Sequence, residues 1–190
     1  MQAVKKDLKT KNNKEIKIMK RKIALILAAV FVVTLCFAYV ASKSAEANDV
    51  YAQTYQFLTD EGFTPVQASG IMGTIKINSN FDPTATAPND LGYGLFQWVD
   101  FRLERLEKFA MQIGKPIDST ETQLLFMIEE LDTYWRNSDN AYGWENFIEA
   151  ETPSEAAQIF YEEYTGPMSN NRCMEMVGTF AEEFYEQYAT

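Results

Sequence analysis

The chain has 190 residues, 46% of them hydrophobic, with 17 Lys and Arg against 27 Asp and Glu, two cysteines and no histidine, for a net charge of −10. Without histidine, and with Cys36 inside an apolar run so that Cys173 alone remains after export, zinc sites, Cys/His nucleophile pairs and an intramolecular disulfide are excluded. No metal or cofactor is expected.

Nine basic residues between Lys5 and Lys22 face only Asp7 and Glu15, and residues 23–41 carry no charge at all. A basic flank before an apolar run leaves the amino terminus in the cytoplasm and exports the downstream chain. Ala45-Glu46-Ala47 has the small-x-small form that signal peptidase accepts, which predicts cleavage before Asn48. The alternative is a retained membrane anchor, because an h-region usually has roughly 7–15 residues and a spanning helix needs roughly 20. Met19, followed by Lys20-Arg21-Lys22, offers a second start for the same signal. A lipoprotein is disfavoured, since Leu35 rather than a small residue precedes Cys36.

Residues 48–190 read as one domain, with seven basic residues against 24 acidic ones. This surface repels nucleic-acid phosphates, anionic lipid and anionic wall polymers, which suits a protein held near the wall by an anchor. Solubility alone accounts for the charge equally well.

Helix signals come in order along the domain. Asn48 or Asp49 opens a first helix carrying Tyr51, Tyr55 and Leu58, closed by Gly62. Thr64-Pro65-Val66-Gln67 combines a capping hydroxyl, proline at the first helical position and glutamine three residues after the cap. In the second helix Val66, Gly70, Gly73 and Ile77 share a face, the glycines allowing close packing. Asp100 is placed to cap a third helix with Leu103, Leu106, Ala110 and Ile113 inward and Glu104 paired to Lys108 outside, ending at Gly114. Ser119 or Thr120 starts a fourth, with Leu124, Ile128, Leu131 and Trp135 as a core stripe; Trp135 and Trp144 are assigned to packing. Thr152-Pro153-Ser154-Glu155 repeats the cap logic before Ala156, Ala157, Ile159 and Phe160, and Gly166-Pro167 stops that helix. A last helix carries Val177, Phe180, Ala181, Phe184 and Tyr188. Strand alternation is confined to Tyr93–Trp98. The fold class is therefore mostly α, a helical domain with one small β element beside a cleft.

The functional information is concentrated between Gly70 and Trp98. It runs Gly70-Ile71-Met72-Gly73-Thr74-Ile75-Lys76-Ile77-Asn78-Ser79-Asn80-Phe81-Asp82-Pro83, then a polar loop, then Leu91-Gly92-Tyr93-Gly94-Leu95-Phe96-Gln97-Trp98. These two blocks resemble the phage tail lysozyme family of the lysozyme superfamily, whose pattern is G-I-x-G-N-x-x-x-E-S-x-F-x-P followed by G-x-G-L-x-Q-W. Later positions also fit: Arg102 with Leu103 and Leu106, Gln123-Leu124, Glu130-Leu131, Ala157 with Phe160, and Arg172. The resemblance spans about residues 50–188. Two positions depart from it: Thr74 stands where the family has Asn, and Asn78 stands where it has the catalytic Glu.

The resemblance implies a lysozyme-like α+β fold acting on the β-1,4 bond between N-acetylmuramic acid and N-acetylglucosamine. That reaction needs a proton donor at the glycosidic oxygen, a carboxylic acid kept protonated by an apolar surround. The carboxamide of Asn78 transfers no proton. Asp82 and Asp90 are the nearest carboxylates available to substitute, and both also read as turn residues; of Glu129 and Glu130, at least one reads as a solvated or ion-paired face residue. By resemblance Ser79 supports the cleft and Gln97 is the polar group on the glycan side. Tyr93 and Trp98 offer faces for sugar stacking, with a core anchor equally open for Trp98. Two functions result: an exported glycan-binding module with hydrolysis lost, or a working muramidase with an atypical acid. A wall hydrolase or surface protein as partner is a weaker third reading.

Overall fold

The computed structural model describes residues 49–87, 92–136, 142–166 and 171–189. The basic flank, the apolar run, the cleavage site and Asp90 lie outside the described residues. Among the described residues no helix is long and apolar enough to cross a membrane.

The helices are α1 (49–60), α2 (Pro65–Ser79), α3 (Asp100–Ile113), α4 (Thr120–Glu130), a π-helical turn (Leu131–Trp135), α5 (Tyr142–Glu149), α6 (Pro153–Thr165) and α7 (Asn171–Tyr188). The mostly-α class holds. Gly62 takes φ +91° after α1, and Phe63 N–H closes back on the Leu58 carbonyl at 3.1 Å. The Thr64 box forms in full: Thr64 Oγ accepts from Gln67 N–H, and Gln67 Oε1 accepts from Thr64 N–H at 3.0 Å. At α6 the box is shifted by one residue. Thr152 Oγ accepts from Glu155 N–H, but the Glu155 carboxylate accepts from Glu151 N–H instead of closing on Thr152.

α2 is the central helix, with residues 67–75 buried all round. A Cβ on Gly70 would lie 2.8 Å from Ala156 Cβ in α6, and one on Gly73 would lie 2.7 Å from the Val177 carbonyl in α7. The glycines therefore serve close packing, and no side chain fits there without moving a neighbouring helix. Around α2 lies a core rich in aromatics, including Phe96, Trp98, Phe126, Phe147 and Phe160.

Four expectations are corrected. Asp100 does not cap α3: Val99 is the capping residue, no side chain caps the helix, and Asp100 itself has φ +47°. Ile113 is not a core residue, since it is 36% exposed in the last turn of α3. The stripe from Leu124 to Trp135 is not one α-helix, because its last turn is the π-turn, which resets the side-chain angles of Tyr134 and Trp135. Tyr93–Trp98 forms no strand; it is a tight loop closed by the isolated antiparallel bridges Thr86 to Tyr93 and Tyr93 to Trp98.

Candidate functional site

α2 delivers Asn78 to a sharply turned exit. Asn80, the C-cap, has φ +52°, and Phe81 follows at φ +64°, a conformation that an aromatic residue rarely adopts. Phe81 is held there by packing on Tyr51 at 4.5 Å and Phe184 at 5.6 Å between ring centroids, and it is 4% exposed. Lys76 Nζ donates to Tyr51 Oη at 2.9 Å and Asn80 Oδ1 at 2.6 Å, tying the same turn to α1. Two successive left-handed residues cost of order 1–3 kcal/mol each and persist where the surroundings over-determine them. Here the strain begins two residues after Asn78.

Asn78 is half-buried, and its Nδ2 is sealed from solvent with no hydrogen-bond partner among the described residues. An orphaned buried donor costs about 1–3 kcal/mol. Among the described residues no acceptor reaches this nitrogen, so one end of the amide is desolvated without compensation.

Ser79 turns inward. It is 9% exposed and its Oγ donates to the Ile75 carbonyl, so it supports the helix end and does not present its hydroxyl to a ligand. Asp82 is exposed. Its Oδ1 accepts from Thr84 N–H at 2.8 Å and Thr84 Oγ1 at 2.7 Å, the geometry of an Asx turn.

The loop after this turn is locked by two glutamines. Gln97, at φ +54°, donates from Nε2 to the Ala85 and Gly94 carbonyls, so its amide N–H groups go to backbone. Gln123, fully buried on α4, accepts from Leu95 N–H at 2.8 Å and donates to the Pro83 and Ile117 carbonyls at 2.7 and 2.9 Å. Gly94 is required beside it, because a Cβ there would lie 2.5 Å from Gln123 Oε1. Sequence reasoning assigned Gln123 no role of its own. The available signal was an amide next to Leu124 on an apolar stripe, which demands buried partners. Tyr93 is half-buried in this loop. Burial raises its phenol above the ordinary range, and the carboxylates of Asp118 and Asp82 raise it further.

Trp98 is a core anchor and offers no sugar-stacking face. It is 1% exposed and its Nε1 donates to Glu130 Oε2 at 2.8 Å. Glu130, 4% exposed, also accepts from Tyr164 Oη at 2.7 Å and from Arg102 Nε and Nη2 at 3.1 and 2.8 Å. This carboxylate is saturated by donors from three elements and is a structural hub. Glu129 pairs with Arg105 at 2.7 Å. Burial first, then the Glu130 charge, pushes the Tyr164 phenol well above its usual value.

A group whose folded pKa is raised contributes stability below its unfolded pKa, here about 10, and loses it as pH rises through the folded value. Tyr164→Phe is expected to cost about 1.5–3 kcal/mol near neutrality, the worth of a hydrogen bond to a charged acceptor. It should also flatten the alkaline loss of stability. Urea unfolding of both proteins between pH 8 and 11 checks this, the expected sign being a gap that narrows as pH rises.

The family model for phage tail lysozymes matches residues 49–188, nearly the whole of the described domain. No curated protein matches the chain. An inward-facing α2 with a strained exit, a glutamine-locked loop beside it and this match agree: the chain belongs to the phage tail lysozyme family, lysozyme-like proteins that act on peptidoglycan.

Proposed function

We propose that this is an exported lysozyme-fold protein that engages the glycan strands of peptidoglycan and hydrolyses them little or not at all. The reading rests on Asn78, an amide whose buried nitrogen has no partner among the described residues, at the position that the motif resemblance gives to the acid. General acid assistance is worth roughly 10²–10⁴ in rate. An amide forfeits it, and the oxocarbenium-like transition state loses the neighbouring negative charge as well. Export rests on the basic flank and the apolar run 23–41, which either leave with the signal or hold the domain outside the cytoplasmic membrane.

The second reading, an active hydrolase with another acid, has one supporting observation. Asp82 is exposed and near enough to Tyr93 to raise its phenol. Against it, Asp82 is engaged in its own turn. A zymogram on purified peptidoglycan tests the two, with wild type expected to leave the wall uncleared while sedimenting with it. Clearing by wild type that disappears on Asp82→Asn or Asp90→Asn overturns the proposal.

A further inference from the structure

A cavity of about 270 Å³ opens between the start of α3, the π-turn and the end of α6. None of Asn78, Ser79, Asp82, Tyr93 or Gln97 lines it. Its rim carries Phe101 and Tyr134, which are 67% and 54% exposed. Phe101 and Tyr134 together put exposed aromatic surface beside one cavity, the kind of feature that marks a binding groove.

The π-turn presents Tyr134 here, and π-helical turns are rare and frequent at functional sites. The Arg105 guanidinium stacks 4.4 Å from the Tyr134 ring centroid and holds that ring. Arg102, also in the lining, lies 4.7 Å from the Tyr164 ring centroid.

The charges decide what fits. Arg102 and Arg105 are matched by Glu130 and Glu129, and Glu163 adds another carboxylate to the lining. The sum does not favour an anion. Each guanidinium nevertheless has five N–H donors. Arg102 directs Nε and Nη2 to Glu130 and Nη1 to the Tyr164 carbonyl, which leaves the second hydrogen of each terminal nitrogen for another acceptor.

Flat apolar faces, oriented donors, an acceptor carboxylate and no surplus positive charge together match an uncharged sugar ring. Its C–H face stacks on an aromatic, and its hydroxyl or acetamido groups bond at the edge. The volume is just below the roughly 300–1,000 Å³ of small-molecule sites, room for one ring and not for a chain.

We infer that this cavity is a second, non-catalytic saccharide site that takes a single neutral N-acetylhexosamine unit between Phe101 and Tyr134. It rests on the glycan reading for its ligand class but not for its residues. A cavity of this size takes the terminal unit of a glycan strand, independently of what the α2 site holds.

The test is a titration of the full chain, in a detergent without a sugar head group, with N-acetylglucosamine, followed by NMR of the Arg105 side-chain Nε–H and the Tyr134 backbone. Saturable shifts at both are expected. Tyr134→Ala and Phe101→Ala, both at exposed positions, should each weaken them at least tenfold, while Asn78→Leu leaves them unchanged. Shifts absent at Tyr134, or unaltered in Tyr134→Ala, overturn this site whatever happens at Asn78. Tighter binding of glucuronic acid than of N-acetylglucosamine overturns the neutral-sugar assignment. Loss of wall binding in Asn78→Leu with the Tyr134 shifts intact leaves this site standing and bears on the α2 site alone.

Discussion

Asn78→Glu is expected to convert an inert or nearly inert protein into a peptidoglycan hydrolase, with a gain of roughly 10²–10⁴ in clearing rate. The reason is local. The exit of α2 is already fixed by Asn80, Phe81 and the Lys76 clamp, and the buried nitrogen of Asn78 has no acceptor among the described residues. A carboxyl with one oxygen in that sealed position loses part of its solvation, which moves its pKa up from the usual glutamate value near 4.3. The added methylene must be accommodated in a packed site, a cost of about 1–3 kcal/mol. The pH dependence has a definite sign. With the folded pKa raised, the variant's stability contribution is complete below about pH 4.3 and is lost as pH rises through the folded value, and the acid's catalytic activity falls along the same limb. Turbidity clearance and thermal melts of the variant from pH 4 to 8 read both. A variant that folds, binds the wall and still does not clear it would mean that more than the acid is missing.

Glu130→Ala should be the most damaging single substitution for the fold, lowering the unfolding free energy by about 3–5 kcal/mol, as expected when one partner of a buried charge pair is removed. Glu130 collects donors from Trp98 at the end of the loop, Arg102 on α3 and Tyr164 on α6, with Arg105 at 3.4 Å. Removing it leaves the indole N–H, the phenol and a guanidinium without their acceptor. Against a typical total of about 5–15 kcal/mol, that leaves a marginal fold. Urea titration followed by tryptophan fluorescence measures the shift. A loss under about 1 kcal/mol would show that water replaces the carboxylate and that the hub is dispensable.

These two residues also differ in what the sequence says of them. Asn78 stands out in the sequence because a glycosidase needs an acid and the resemblance puts that acid at position 78. Glu130 was legible only as one of two neighbouring acids, since nothing in Glu129-Glu130 says which side chain faces three donors. Trp98 stayed open between two readings for a related reason. An indole suits a sugar face and a core equally, and only the position of Glu130 sends its N–H inward.

The helix boundaries were set by local interactions: the Thr64 and Thr152 hydroxyls, Pro65 and Pro153, and the glycines at 62, 114 and 166 act within a few residues of themselves, so the chain alone determines them. The mostly-α class follows from those signals and from the helical spacing of the apolar residues. What tertiary structure decided are the long-range polar matches, Gln123 to the Pro83 and Leu95 backbone and Glu130 to α3 and α6, together with the π-turn and the left-handed Phe81. Each depends on groups tens of residues apart or on packing that over-determines an unfavourable backbone, and neither is written in any local pattern.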